Sequence, residues 1–138
     1  MTAVKKTFQP ILSSDICLTY ELLHKNNLVS FPLTKEWRDK VEALVATINS
    51  SYFGKVIYDS TEEKAVAHLY FLIKDHPFTD GNKRTAVLVF EILCDLNQLK
   101  PNYKLLPLDA LAVFIEKTQE EDHHKVIRII ADQLFGKE

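Results

Sequence analysis

A chain of 138 residues is long enough to bury a core without disulfide or metal staples, and residues 1–138 are read as a single domain. Hydrophobic residues make up 46% and charged ones 26%, as in soluble globular proteins, and a net charge of −2 argues against a nucleic-acid-binding surface while leaving room for a local anion pocket. No apolar run reaches bilayer-spanning length, since His68, Lys74, Glu91 and Asp95 interrupt the candidates, and no apolar stretch backs the lysines of MTAVKKTFQP; a cytoplasmic protein with no membrane partner is expected.

In chain order, Ser14-Asp15 marks a first helix over 15–26 that ends near Asn26-Asn27. Thr34 caps a second, in which Trp37, Val41, Leu44, Val45 and Ile48 recur at helical spacing and predict one buried stripe. The next segment, SYFGKVIYDS over 51–60, breaks the pattern. Its β-branched and aromatic residues around Gly54 predict a short hairpin. Ser60 with Glu63 forms a capping box opening a third helix, whose apolar run reaches Ile73. A fourth helix over 83–96 follows. Both are apolar on almost every side, which places them centrally. A fifth helix is expected over 108–118 and a sixth over 122–135, stopped by Gly136. Cys17 and Cys94 sit in apolar runs as small core residues, His68 reads as a hydrogen-bonded core histidine, and His123-His124 as a solvated pair. The fold class is all-α, a compact domain of six helices or more with a small β-hairpin.

Between the two most apolar segments lies DHPFTDGNKR, residues 75–84, which holds one of only three glycines. Asn82, Lys83 and Arg84 open a helix, so their backbone N–H groups lack intrahelical partners and face the positive end of its dipole. Such an end suits phosphate. Gly81 permits the positive φ that turns consecutive amides into one concavity. Lys83 and Arg84 oppose the dipole where they stand, and an arriving anion would relieve that cost. Asp80 adds the hard oxygen ligand that Mg²⁺ uses beside phosphate. His76 can accept a proton from a hydroxyl at neutral pH. Pro77 stiffens the turn, and Phe78 plugs into the core. Base, metal ligand and phosphate cradle on one loop are the parts of phosphoryl-type transfer.

HPFTDGNKR resembles the signature loop of the Fic/Doc (Fido) family, His-Pro-Phe-x-Asp/Glu-Gly-Asn-Gly/Lys-Arg, and the likeness covers roughly residues 10–135. It implies a Fido-type helical domain that modifies a protein hydroxyl on Ser, Thr or Tyr with ATP or another NTP as co-substrate. By that likeness His76 is the base, Asp80 holds Mg²⁺, and Gly81, Asn82, Lys83 and Arg84 form the anion hole. Gly54, Lys55, Val56, Ile57 and Tyr58 form the flap that aligns the target's backbone. Members that attach AMP usually carry Gly where Lys83 stands and a second Arg where Val87 stands. NKRTA over 82–86 is instead similar to the death-on-curing (Doc) branch, which transfers the terminal phosphate, although Doc carries Ala where Gly81 stands. Phosphorylation and AMPylation both remain open, with a lean to the former. No Glu is followed by Gly or Asn, so the family's inhibitory motif is absent and a separate antitoxin partner is expected, as in toxin–antitoxin pairs.

Two rivals stand beside this reading. A helical HD-type phosphohydrolase needs a His-Asp dyad with further His ligands, but the order here is Asp75-His76, and His24, His68, His123 and His124 supply no second site. A catalytically silent nucleotide- or protein-binding module would have no need of a base poised beside a metal ligand.

Overall fold

The computed structural model describes residues 7–52 and 55–136. Among these are six helices, α1 (Ser13–Lys25), α2 (Lys35–Ile48), α3 (Thr61–Lys74), α4 (Asn82–Leu96), α5 (Leu108–Lys117) and α6 (His123–Phe135). Two short strands, β1 (Ser51–Tyr52) and β2 (Lys55–Val56), pair antiparallel with Ser51 opposite Val56 and Tyr52 opposite Lys55. The fold is all-α with a minor hairpin, as the apolar periodicity predicts. Gly54 lies outside the described residues. No helix among the described residues is long and apolar enough to cross a membrane.

Helix α3 is the hub. It packs against α2, α4, α5 and α6, while α1 bridges α2 and α4. Residues Ala65 to Tyr70 are buried without a break, because α3 meets a neighbour on every side. His68 lies inside this run, its Nδ1 donating to the Lys64 carbonyl at 2.7 Å. Both cysteines are buried free thiols.

The start signals Thr34 and Ser60 act as side-chain caps, and Asp122, placed by the sequence reading inside the sixth helix, proves to be a cap as well. The Thr34 hydroxyl accepts from the Trp37 amide at 3.1 Å, the Ser60 hydroxyl from Glu63 at 3.0 Å, and the Asp122 carboxylate from Lys125 at 3.1 Å. Helix α1 departs from expectation and begins two residues early. Asp15 is not its cap but stands inside the first turn, where its carboxylate accepts from the Leu12 amide at 3.1 Å. Helix α4 departs in another way. It is not covered all round: Leu88, Ile92 and Leu96, four residues apart, form an exposed apolar line.

His123 and His124 are not a purely solvated pair either. Nδ1 of His123 hydrogen-bonds the hydroxyl of the fully buried Tyr70, and its ring packs against Tyr70 and Phe71 with centroids 5.3 and 5.8 Å apart. The His124 ring stands 5.3 Å from that of Tyr58.

Candidate functional site

The loop between α3 and α4 is pinned before it reaches any ligand. Phe78 is 3% exposed and stacks on Tyr20 with ring centroids 4.2 Å apart, while Trp37 meets it nearly edge-on at 6.0 Å. Tyr20 is itself tied by its hydroxyl to the Phe31 carbonyl at 2.6 Å. Burial raises the pKa of its phenol, and the charge of Asp80 adds to this, which places that carboxylate within electrostatic reach of the aromatic cluster. Asn82 closes the loop. Its side-chain oxygen accepts from the Phe78 amide at 3.0 Å and its side-chain nitrogen donates to the Phe78 carbonyl at 2.8 Å. The contribution left to Asn82 at the cleft is therefore its backbone N–H.

Gly81 is the turn into α4, at φ +79°, and its carbonyl accepts from the Thr85 amide at 2.9 Å. Its own amide donates to Asp80 Oδ1 at 2.8 Å. Ahead of it, His76 is held at φ +30° in front of Pro77, a strained backbone for a non-glycine residue and doubly so before proline. Strain of this kind persists where the surroundings over-determine the loop, and it clusters at functional sites. The amides of Asn82, Lys83 and Arg84 are the open donors of the first turn, and no acceptor meets them among the described residues.

A cleft of about 650 Å³ opens over this turn. It brings together His76, Asp80, Gly81, Asn82, Lys83 and Arg84, with Lys74, Thr79 and Glu116 on its rim. Two of the cations are already engaged. Lys83 Nζ pairs with Glu116 Oε2 at 3.1 Å, and Arg84 Nη1 donates to the Leu28 carbonyl at 3.1 Å, which leaves other guanidinium donors free to turn to a ligand. Lys74 caps the end of α5 through the Thr118 carbonyl and so holds Glu116 at the rim. Lys74 stands at the cleft because it directly precedes the loop, whereas Glu116 carries no mark in the sequence and reaches the cleft only through the packing of α5 on α3.

A divalent cation here would find the Asp80 carboxylate, one oxygen of which is already bonded to the Gly81 amide, while the cleft's other carboxylate, Glu116, is paired with Lys83. No group of three or more acidic, His or Cys side chains that could cage a metal occurs among the described residues. That donor set fits Mg²⁺, which keeps waters and takes one or two carboxylates plus phosphate oxygens.

Of the expected flap residues, Ile57 and Tyr58 are not gathered into this cleft. Ile57 is exposed, whereas Tyr58 is buried among Phe71 and His124, and burial pushes its phenol up to about 12. Tyr58 is a core residue and cannot be presented to a target. Asp75, beside His76, has its carboxyl pKa raised by burial, against the charges of His123 and His76.

Gly81→Ala should be costly. A Cβ there would stand 2.4 Å from Val29 Cγ1, and the left-handed backbone disfavours any side chain. The expected loss is about 2–4 kcal/mol, read from urea midpoints. Combining it with Val29→Ala should cost less than the sum of the two single losses, since the overlap is removed once. Simple additivity would mean that the overlap does not matter.

No curated protein and no solved structure matches the chain. The family model for the Fic/DOC family does match, over residues 13–94, from the first turn of α1 through the loop to Cys94 in α4. A match over more than half of the chain, centred on the elements that build the cleft, settles the relationship: the chain belongs to the Fic/DOC family.

Proposed function

We propose that this protein is an NTP-dependent transferase that moves a phosphate-containing group from ATP, or another nucleoside triphosphate, onto a Ser, Thr or Tyr hydroxyl of a target protein. The observation that carries the reading is the convergence of His76, Asp80 and the three open amides of α4 on one cleft. His76 takes the proton of the attacking hydroxyl. The amides of residues 82–84 and the charges of Lys83 and Arg84 hold phosphate oxygens, and Glu116 gives up Lys83 as the anion enters. Asp80 would hold Mg²⁺, which when bound neutralises phosphate charge. Positioning and charge neutralisation then carry most of the catalysis.

The target approaches along the hairpin, whose two strands meet no third strand among the described residues and beside which Ile57 is exposed. With no Glu-Gly or Glu-Asn step in the chain, restraint comes from a separate antitoxin protein in this reading.

A lysate incubated with the protein and with ATP labelled at the α or the γ phosphate tests the transfer. A labelled protein band should appear with the wild type and be missing with His76→Ala, which also removes host-kinase background from the comparison. No band from either label would leave a silent nucleotide-binding module.

A further inference from the structure

Away from the cleft, a hollow of about 350 Å³ lies where the chain after the hairpin meets α3 and the start of α6. Ile57, Tyr58, Phe71, His123 and His124 wall it, and the exposed residues Glu121 and Asp122 complete it. Four of its walls are rings close to one another. The Tyr58 ring lies 6.4 Å from Phe71 and 5.3 Å from His124, and Phe71 lies 5.8 Å from His123. We infer that this hollow receives an arginine side chain of the target protein, close in sequence to the hydroxyl that is modified. The inference rests on the transferase reading above and adds a feature by which a target is chosen.

Rings and carboxylates around one opening are the two kinds of group that a guanidinium uses together. Its flat face stacks on an aromatic ring, and its N–H edges donate to carboxylate oxygens. A lysine ammonium lacks the flat face, and an acidic side chain would be repelled. The carboxylates are available. Glu121 enters no hydrogen bond among the described residues, and Asp122 uses only one oxygen, on the Lys125 amide. Glu120 Oε1 accepts from the Asp122 amide at 3.3 Å, so three consecutive acids gather ahead of α6, and none is paired with a Lys or Arg among the described residues. Their charge outweighs the partial positive charge of the helix start, about half a unit. Deeper in the wall, the hydroxyl of Tyr58 is buried without a hydrogen-bond partner. An orphan of that kind calls for a donor. A guanidinium N–H reaching past the rings supplies one, and Tyr58 keeps its place in the core.

The hollow's position ties it to the reaction. Phe71 stands five residues before His76, about 8 Å by helical rise, and its carbonyl accepts from the Asp75 amide at 2.9 Å. Tyr70, on the same turn, bonds His123 through its hydroxyl. An extended target segment, at about 3.3 Å per residue, covers that distance in two or three residues. Ile57 belongs both to the hollow and to the path proposed for the target. A segment beside the hairpin with its hydroxyl at His76 therefore carries a side chain over the hollow.

NMR titrations with N-acetyl-arginine amide and its neutral counterpart, N-acetyl-citrulline amide, test the hollow directly. The arginine amide should shift the ring signals of Phe71, His123 and His124, and should bind about fivefold more tightly than the citrulline amide, the effect of two exposed charge pairs. In the double variant Glu121→Gln and Asp122→Asn, where asparagine still caps α6, that preference should fall to about twofold or less. Amide signals away from the hollow should stay in place, which reports that the variant is folded. In the lysate experiment above, modified residues mapped by mass spectrometry should have an arginine within about three positions. Replacing that arginine by citrulline in a substrate peptide should raise KM and leave kcat unchanged. Rings that do not shift, equal binding of the citrulline amide, or modified sites without a nearby arginine overturn the assignment and leave the transferase reading standing. No labelled band overturns the transferase reading and the target's arginine with it, and rings that still shift with arginine amide distinguish that failure from a failure of the hollow.

Discussion

His76→Ala should bind ATP within about threefold of the wild type while its transfer rate falls by about 10²–10⁴-fold, the usual weight of a general base. The two readouts separate because His76 is exposed at the mouth of the loop and makes none of the contacts that shape it. The loop is held by Phe78 against Tyr20 and Trp37 and by both arms of Asn82, and the open amides belong to residues 82–84. Removing the imidazole leaves those parts in place. The positive φ of residue 76 strains any residue that carries a Cβ, so alanine brings no relief there and melting temperature should change little. Equal transfer by the variant would end the assignment of His76. A loss of ATP binding in step with transfer would instead make His76 a binding residue.

Asn82→Ala provides the structural contrast within the same loop. It would leave the amide and carbonyl of Phe78 without their partner, so loop order and ATP binding fail together. The distinction follows from what each side chain touches, and the motif alone does not reveal it.

What could be read from residues alone follows the range of the forces. Caps act over three residues, so Thr34 and Ser60 announce themselves. Asp15 misleads because a carboxylate three positions into a helix looks the same in sequence as one at its start, and only its bond to Leu12 tells them apart. The loop of residues 75–84 is legible for the same local reason: a glycine, a helix start and the ionisable groups sit within ten positions. Contacts made by distant segments leave no such mark. Glu116 comes to Lys83 from 33 residues away, and Tyr70 meets His123 across 53. The uncovered line on α4 is hidden differently, since a helix apolar all round does not say which side its neighbours leave open. Of that line only Leu88 reaches the hollow of about 480 Å³ beside the cleft, which also takes in Val87.

Acid should destabilise this protein through His68, over the window from about pH 6.5 down to pH 4. The imidazole is fully enclosed in α3, and its pKa is lowered to about 4. Desolvation is the main cause. The Lys64 carbonyl bond favours the cation but falls short, and the Lys64 charge opposes it. In the unfolded chain the same ring titrates at about 6.5. Between these values the unfolded state holds a proton that the folded state refuses, so stability falls by about 1.4 kcal/mol for each pH unit lost. The contribution is fully present above pH 6.5, and about 3 kcal/mol of it is gone near pH 4. Asp75 works with the opposite sign at the acid end, because burial raises its pKa and the folded state then binds its proton first. Comparing urea midpoints of the wild type and His68→Leu at several pH values isolates the histidine, whatever the variant's stability at pH 7. The slope between pH 6.5 and 4 should flatten in the variant. If both proteins lose stability in parallel, His68 is not the group that charges. The consequence reaches the cleft, because α3 ends at Lys74 and delivers His76 two residues later. An imidazolium forced into the middle of α3 would loosen the helix from which the loop hangs, so acid should release ATP over the same window in the wild type and less so in His68→Leu.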